Sequence, residues 1–147
     1  MHLEYGNPKD IVLWMELVDY VKCDFPGLET LDKIKEHKNT VLKFMDRKVA
    51  LCIKDKEKIV AVLLFSKKHN MICFLAVSPN YRRMGLATMM LTEAINSLER
   101  EKTIIVSTFR EEDPKGVAPR ALYQKFGFVE GKLIEEFGYL NQEFILQ

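Results

Sequence analysis

The spacing of hydrophobic residues divides the first part of the chain into a strand and two helices. Residues 3–5 are predicted as a short strand. Apolar side chains then recur three or four positions apart over residues 8–22, which predicts an amphipathic helix, and Asn7 followed by Pro8 is a favoured helix start. A second helix is predicted after a break at residues 24–27. It carries four apolar residues on one side: Leu31, Ile34, Val41 and Leu42.

The middle of the chain changes to the pattern of a β-sheet. Residues 48–55, KVALCIKD, and residues 58–68, KIVAVLLFSKK, are rich in β-branched and aliphatic side chains and are separated by a charged turn, so they predict a hairpin. The next run, MICFLAV at residues 71–77, is almost continuously apolar. This composition predicts a strand that is covered on both faces.

The last part of the chain alternates again between helices and strands. An apolar stripe over residues 86–100 predicts a helix, and the buried run TIIVST then predicts a strand parallel to MICFLAV if the helix forms a right-handed crossover. A short helix over residues 120–126 and two strands, at residues 128–134 and 139–146, complete the order. This order predicts a mixed α/β fold in a single domain, residues 1–147.

Composition and charge favour an ordinary globular protein without a strongly charged partner surface. Hydrophobic residues make up 48% and charged residues 29% of the 147 residues, and the formal net charge is +1. So small a net charge predicts no general attraction to nucleic acid or to an anionic membrane. No apolar run approaches the ~20 residues that span a bilayer, and the N-terminus lacks the features of a signal peptide. A cytoplasmic location is therefore expected.

The three cysteines, Cys23, Cys52 and Cys73, predict neither a metal site nor a redox pair. They form no Cys-x-x-Cys pair and no Cys/His spacing of the kind that binds zinc. A reducing cytosol suits this odd number of cysteines. Cys52 and Cys73 lie in apolar, strand-like runs, so both are expected in the core as free thiols. Trp14, on the apolar side of the first helix, is also expected in the core.

The segment VSPNYRRMGLA, between MICFLAV and the next helix, has the features of a phosphate-binding turn. A strand that leads directly into a helix presents unpaired backbone N–H groups, and the helix dipole also favours an anion there. Gly85 and Ala87 keep the backbone accessible, and Arg82 and Arg83 add positive charge with forked donors. The Walker P-loop and the dinucleotide fingerprint are absent, so these residues leave the phosphate ligand open. Two solvated arginines at a helix start are the alternative interpretation.

The same segment resembles the acetyl-coenzyme A signature of the GNAT superfamily of N-acetyltransferases. Arg82, Gly85 and Ala87 occupy the three defining positions of the pattern Arg/Gln-x-x-Gly-x-Gly/Ala. A second element follows after a further strand, because ALYQKFGF at residues 121–128 resembles the late helix of the family, with its tyrosine at Tyr123. The resemblance thus rests on two motifs at the expected separation and on an element order that agrees over almost the whole chain.

The resemblance implies a fold in which a central, mostly antiparallel sheet splays open between its two parallel strands. The gap is expected between MICFLAV and TIIVST. Backbone amides from Met84 to Thr88 would hold the pyrophosphate of acetyl-CoA, and the pantetheine arm would run beside the strand end at Ala76 and Val77. The implied coenzyme-binding residues are Ala76, Val77, Arg82, Arg83, Met84, Gly85, Leu86, Ala87 and Thr88. No metal is implied.

Acetyl transfer to an amine needs a neutral amine, a polarised thioester carbonyl and a proton for the leaving thiolate. Tyr123 is the candidate acid. A backbone N–H near Ala76 or Val77 is the donor to the carbonyl that the resemblance implies. The structural alternative for Tyr123 is a ring packed beside Phe126 with its hydroxyl satisfied locally. Cys73 is not expected to act as a nucleophile, since no histidine stands beside it in the sequence.

The general base remains unassigned. Many relatives carry a carboxylate on the strand before the pyrophosphate turn, and MICFLAV contains none. The carboxylates at residues 111–113 are candidate substitutes, although an acidic loop in solvent is the simpler interpretation. Ser107 and Thr108 could instead hold a water that carries the proton. His37 and His69 are expected at the surface of a helix and of a turn.

The acceptor amine is expected to meet residues 23–29, CDFPGLE, because the first two helices and their connection form much of the acceptor wall in the family. Asp24, Phe25 and the carboxylates at residues 111–113 would suit a cationic amine with an apolar body. Small molecules and peptide N-termini both remain open as acceptors. The apolar segment at residues 144–146 is compatible with a homodimer through the late strands.

Three classes of function follow from these observations. The leading hypothesis is an acetyl-CoA-dependent N-acetyltransferase that acts directly on a primary amine of a small molecule or peptide. The second is a non-catalytic acyl-CoA-binding sensor or regulatory module of the same fold, which the missing strand carboxylate favours and Tyr123 disfavours. The third is an interaction domain that binds no coenzyme.

Overall fold

A computed structural model describes residues 1–147 as one seven-stranded sheet with helices on both faces. The strands are β1 (His2–Tyr5), β2 (Ala50–Asp55), β3 (Lys58–Ser66), β4 (Met71–Val77), β5 (Ile104–Phe109), β6 (Val129–Glu136) and β7 (Tyr139–Leu146). The helices are α1 (Ile11–Val21), α2 (Leu31–Asp46), α3 (Leu86–Ser97) and α4 (Val117–Lys125). The spatial order is β1-β2-β3-β4-β5-β7-β6, and only β4 and β5 are parallel. None of the helices is both long and apolar enough to cross a membrane.

Two hydrophobic clusters pack on opposite faces of the sheet. One cluster joins α3 and α4 to strand residues such as Leu63 and Phe144. The other joins α1 and α2 to alternate residues of the same strands, such as Cys52 and Leu64. Successive strand residues point to opposite faces, so a continuously apolar strand such as β3 serves both clusters. The expected core positions of Cys52 and Trp14 are confirmed, since both residues are fully buried.

The predicted order of elements and the mixed α/β sheet are confirmed, and the differences lie mainly at element ends. The helix expected over residues 8–22 begins as a 3-10 turn at Pro8–Asp10 and continues as α1. The helix expected over residues 120–126 begins earlier, at Val117. Leu31 does not face the core, because it is the first residue of α2, whose buried residues Val41 and Met45 lie near the other end, and it is 84% exposed.

An extra residue in β4 marks the point where its pairing with β5 ends. Leu64 and Phe65, which are consecutive in β3, pair with Phe74 and Ile72 of β4, so Cys73 is an unpaired bulge residue. The parallel ladder with β5 has its last pair at Ile72. A bulge bends its strand and increases the local twist, so β4 leaves β5 from this point onward. The predicted splay between the two parallel strands is confirmed.

The expectation that MICFLAV is covered on both faces is confirmed only in part. Ile72 and Ala76 are buried, whereas Phe74 and Leu75 are only half-buried. The expected core position of Cys73 is wrong, because this residue is exposed. The physical reason is the same for all three, since β5 no longer covers this edge of β4.

An ion cluster with a buried member ties β1 and the turn before α1 to β2. Lys54 Nζ lies 2.6 Å from Glu4 Oε1 and 2.8 Å from Asp10 Oδ1, and Asp10 is only 6% exposed. Hydrogen bonding to Lys54 lowers the pKa of the Glu4 carboxyl. Burial alone would raise the pKa of Asp10, but hydrogen bonds from Lys54 and from the Asn7 N–H outweigh burial and lower it. The cluster therefore stabilises the fold in its charged form.

We expect Lys54→Met to lower the free energy of unfolding by about 2–4 kcal/mol at neutral pH, because Asp10 is left buried without its cation. Since the folded pKa values of Glu4 and Asp10 are depressed, this stabilisation is present above their unfolded values of about 4 and is lost as the pH falls through the lower folded values. Urea unfolding at neutral pH and at roughly pH 3 measures the difference. Lys58→Met, at an exposed lysine of β3, is the control. Equal losses in both variants would contradict the assignment.

Candidate active site

The turn between β4 and α3 exposes backbone donors beside an open space. Gly85 caps α3 with φ of +78°, in the left-handed region. A Cβ placed on Gly85 would meet no atom within 4 Å, so a ligand can approach the backbone closely at this point. The N–H groups of Leu86, Ala87 and Thr88 belong to the first turn of α3 and have no acceptor within the helix. This geometry fits a pyrophosphate group.

The side chains of the turn add positive charge at its exposed rim, where Arg82, Arg83 and Met84 are all open to solvent. Arg83 has φ of +63°, and together with Gly85 it gives the turn two left-handed residues, a conformation typical of anion-binding backbone hollows. Arg82 Nη2 lies 3.6 Å from Asp24 Oδ2 in the α1–α2 connection. Both side chains are about half exposed, so this ion pair contributes less than ~1 kcal/mol and a phosphate can replace Asp24.

Beyond the bulge, β4 presents free backbone donors to the gap. The Ser78 N–H donates to the carbonyl oxygen of Val60 at 2.8 Å, which makes these two residues a hydrogen-bonded pair of the antiparallel ladder. Such pairs alternate along a strand, so the amide of Ala76 also faces β3, whereas those of Leu75 and Val77 face the gap. Of the two strand-end residues expected beside the coenzyme, Val77 thus offers its N–H, and Ala76 offers only a small buried side chain.

Tyr123 lies on α4, with its ring in the core on the α3 and α4 face. It is 4% exposed and packs against Phe128 and Phe144, at centroid distances of 5.8 and 6.1 Å, rather than beside Phe126. Burial raises the pKa of the Tyr123 hydroxyl, which therefore stays protonated near neutral pH. The hydroxyl has no hydrogen-bonding partner within the chain, yet it is not among the polar atoms sealed from solvent. It is therefore available to a ligand as a donor.

Arg120, which belongs to no motif of the sequence, fixes α4 against the sheet. Its Nη1 donates to the carbonyl oxygen of Phe109 at 3.1 Å and to Gln142 Oε1 at 3.3 Å, and its Nη2 donates to a carboxylate oxygen of Glu130. The side chain is 7% exposed, so these bonds are well shielded from water. Because Tyr123 follows one turn later, Arg120 helps to position it. No local pattern distinguishes this arginine from the other charged residues of the sequence.

Aromatic side chains line the α1 and α2 side of the gap. Phe25, from the α1–α2 connection, and His37, from α2, lie 4.6 and 4.8 Å from Phe74 of β4 between ring centroids. The ring of Phe137, in the β6–β7 turn, lies so close to Gly27 that a Cβ there would be 2.9 Å from it. The expected surface position of His37 is only partly correct, because the residue is half-buried and its Nε2 is sealed from solvent without a partner. Burial lowers its pKa to about 4, which keeps the ring neutral.

The loop carboxylates proposed as substitute bases have other partners or none. Asp113 caps the turn before α4. Glu112 lies 3.9 Å from Arg110 Nε, and Glu111 is exposed. This arrangement fits the interpretation of a solvated acidic loop. His69 is exposed, as expected for a turn residue.

One group of side chains has the composition of a metal site but already holds a cation. The ligand atoms of Glu4, Asp10 and Cys52 lie within 4.8 Å of one another. The Lys54 ammonium is bound to both carboxylates, as described above. Burial, reinforced by the two carboxylates, raises the pKa of Cys52 to about 12, so its thiol is a poor ligand at neutral pH. The group is better explained as a structural ion cluster.

Comparisons with known proteins agree on one family and one fold. A model described as the acetyltransferase (GNAT) family matches residues 14–128, which include the turn at Gly85 and most of the region around α4. The ribosomal-protein-alanine N-acetyltransferase from Brucella melitensis has a similar structure, with a TM-score of 0.73, 19% identity and coverage of 99% of this chain and 98% of its own. No curated protein matches the chain.

Two further structures with the same fold contain the coenzyme. The PaiA N-acetyltransferase from Thermoplasma acidophilum, in complex with coenzyme A, has a TM-score of 0.69 and 14% identity over 97% of this chain and 96% of its own. The protein yncA from Salmonella typhimurium, with its cofactor acetyl-CoA, has a TM-score of 0.73 and 14% identity over 99% and 91%. At these identities the structures show a common fold.

We expect Gly85→Val to reduce affinity for acetyl-CoA by at least about 30-fold, or roughly 2 kcal/mol, because the branched side chain fills the open space and opposes a positive φ. Calorimetric titration with acetyl-CoA measures the change. Gly138→Val is a matched control, since Gly138 has φ of +80° and a Cβ placed on it would also meet no atom within 4 Å, but it lies in the β6–β7 turn. Equal affinity in the two variants would show that the turn at Gly85 does not hold the pyrophosphate.

Proposed function

We propose that this chain, which belongs to the GNAT family of acetyltransferases, transfers the acetyl group of acetyl-CoA directly to a primary amine of a small molecule or peptide. The observation that carries the proposal is the continuity of β4 with the phosphate-binding turn. The open edge of β4 begins at Cys73 and ends at Val77, and one short turn then joins it to the free amides around Gly85. One ligand can therefore place a diphosphate at the turn and an acyl thioester in the gap.

In this proposal the backbone binds the coenzyme and polarises its reactive carbonyl. The amides from Met84 to Thr88 bind the pyrophosphate, and Arg82 exchanges Asp24 for a phosphate oxygen. The Val77 N–H, which faces the gap, donates to the thioester carbonyl and stabilises the negative charge that develops there. Bound acetyl-CoA supplies the activated acetyl group.

Tyr123 acts in this proposal as the donor to the leaving sulfur. Its pKa is raised by burial, whereas a thiol has a pKa of about 8.5, so transfer of the tyrosine proton to the thiolate is unfavourable by itself. This cost is offset if the attacking nitrogen gives a proton to the Tyr123 oxygen in the same step. Arg120 holds α4 and so limits the movement of the Tyr123 ring.

The unpartnered hydroxyl of Tyr123 favours the enzyme over a non-catalytic acyl-CoA sensor. A sensor would need the turn at Gly85 but would gain nothing from a tyrosine whose ring is held in the core while its hydroxyl has no hydrogen-bonding partner within the chain. The aromatic surface of Phe25 and Phe74 on the α1 and α2 side also has no role in a protein that only binds coenzyme.

We expect Tyr123→Phe to lower kcat by about 10²-fold, since a general acid typically contributes 10²–10⁴-fold. Affinity for acetyl-CoA should stay within about twofold of wild type, because the hydroxyl meets the sulfur only as the thiolate develops. Thiol release from acetyl-CoA with a panel of primary amines, combined with calorimetry, measures both quantities. Tyr20→Phe, at an exposed tyrosine of α1, is the control. Coenzyme binding without amine-dependent thiol release in the wild type would instead support the sensor.

A further inference from the structure

The β6–β7 hairpin brings a carboxylate to the acceptor side of the gap. Glu136 pairs with Tyr139, and Ile134 pairs with Asn141, so these side chains share one face of the sheet. Residues of β7 that point to the opposite face, such as Phe144, pack into the cluster with α3 and α4. Glu136 therefore lies on the face that carries α1 and α2, opposite to the face of the coenzyme turn.

Two contacts hold the end of the hairpin beside the gap. Asn141 Nδ2 donates to Glu136 Oε1 at 3.3 Å, and Asn141, which is 7% exposed, pairs with Phe109 at the end of β5. The next residue after Glu136 is Phe137, whose ring lies against Gly27 of the α1–α2 connection. The hairpin thus runs from the end of β5 across to the acceptor wall, with Glu136 between these two attachments.

The negative charge of Glu136 also acts on a residue of β4, on the other side of the gap. Cys73, the bulge residue of β4, is exposed as a residue, but desolvation at its sulfur and, second, the negative charge of Glu136 raise the pKa of its thiol to about 11. No other carboxylate contributes to this shift. Glu136 is half-buried and is held by the Asn141 amide on the side of β5, while its charge acts on the Cys73 thiol on the side of β4.

We propose that Glu136 binds the protonated acceptor amine and accepts its proton, and that the acceptor is a primary ammonium on an aromatic or similarly flat apolar body seated against Phe25 and Phe74. This inference rests on the proposed acetyl transfer and supplies the base that β4 lacks. The two phenylalanines lie 4.6 Å apart between centroids and provide an apolar surface on the same face of the sheet as the carboxylate. A cation beside aromatic faces and an anion is favourable on both counts.

The positions of these groups allow a transfer in which the protons balance. The ammonium gives one proton to Glu136, and the nitrogen lone pair forms the C–N bond to the acetyl carbon as the C–S bond breaks. Tyr123 donates its hydroxyl proton to the leaving sulfur, and the second proton of the nitrogen restores the Tyr123 hydroxyl. Glu136 then releases its proton to solvent. The products are an amide, a thiol and one proton.

Few titratable groups face Glu136 from the neighbouring elements and compete with this role. On β4 the facing group is the Cys73 thiol, which its raised pKa keeps neutral. On β7 they are Tyr139, its pairing partner, and Glu143, which is on the same face and pairs with Ser107. In the α1–α2 connection, Asp24 is paired with Arg82 and becomes a free carboxylate when the coenzyme phosphate takes Arg82. Glu136, unlike Asp24, is the carboxylate whose charge acts on the Cys73 thiol at the bulge.

The test compares Glu136→Gln with wild type using two amines of similar aromatic body. Phenethylamine is an ammonium ion at pH 7 and must lose a proton, whereas aniline is already neutral. We expect kcat/KM for phenethylamine to fall by about 10²-fold at pH 7 and by much less near pH 10, where solution supplies the free amine. With aniline, the variant should stay within about threefold of wild type. Glu135→Gln, at the neighbouring exposed carboxylate, is the control and should match wild type with both amines.

A second measurement reports the placement of Glu136 without turnover. The pH dependence of alkylation of Cys73 by iodoacetamide, in a Cys23→Ser background, should shift to lower pH in Glu136→Gln because a neighbouring negative charge is removed. An unshifted profile would contradict the placement of the carboxylate beside the bulge.

The outcomes separate this inference from the proposed function. Equal losses with phenethylamine and aniline, or no loss with either, would overturn the role of Glu136. A wild type that binds acetyl-CoA and acetylates neither amine would overturn the acceptor class while leaving coenzyme binding intact. Failure of the wild type to bind acetyl-CoA, in contrast, would contradict the proposed acetyl transfer itself.

Discussion

The bulge at Cys73 is the constraint on which the rest of the site depends. A regular β4 would continue its parallel ladder with β5, and the amides of Leu75 and Val77 would then be used up in strand pairing. The extra residue ends the ladder at Ile72 and leaves those donors at the edge of a gap. Unpaired backbone donors at a half-buried edge are unfavourable unless water or a ligand satisfies them. The same local irregularity thus opens the sheet and prepares it for a polar ligand.

The sheet also separates the two halves of the proposed reaction. The face with α3 and α4 carries the phosphate-binding turn at Gly85 and the hydroxyl of Tyr123, which Arg120 supports through its bonds to the sheet. The opposite face carries the aromatic wall at Phe74 and, in our proposal, the base Glu136. The two substrates would therefore approach from opposite sides and meet within the plane of the sheet. Such a division keeps the acid near the leaving sulfur and the base near the amine.

Much of the fold could be predicted from the sequence because its signals are local. Hydrophobic periodicity and helix capping act over a few residues, and they predicted the order of strands and helices with shifted ends. The turn around Gly85 was visible for the same reason, since a strand end, a glycine and a helix start are contiguous in the chain. The family resemblance depended on this turn and on the segment around Tyr123.

The remaining features depend on which neighbours a residue meets in space. Continuous apolarity in MICFLAV does not reveal that β5 covers only part of that strand, so the sequence predicts Cys73 in the core. The surface position expected for His37 overlooks its contact with Phe74, which joins segments distant in sequence. Glu136 lies in a hairpin distant in sequence from β4, and only strand register and a bond from Asn141 bring it to the gap. Arg120 resembles other charged residues until its buried partners are known.

The most direct test of the central claim is a crystal structure of the protein with acetyl-CoA. The claim predicts pyrophosphate oxygens at the amides from Met84 to Thr88 and the thioester between β4 and β5. Its carbonyl oxygen should lie within hydrogen-bonding distance of the Val77 N–H. Coenzyme bound outside the gap, or a gap closed by continued pairing of β4 with β5 beyond Ile72, would contradict it.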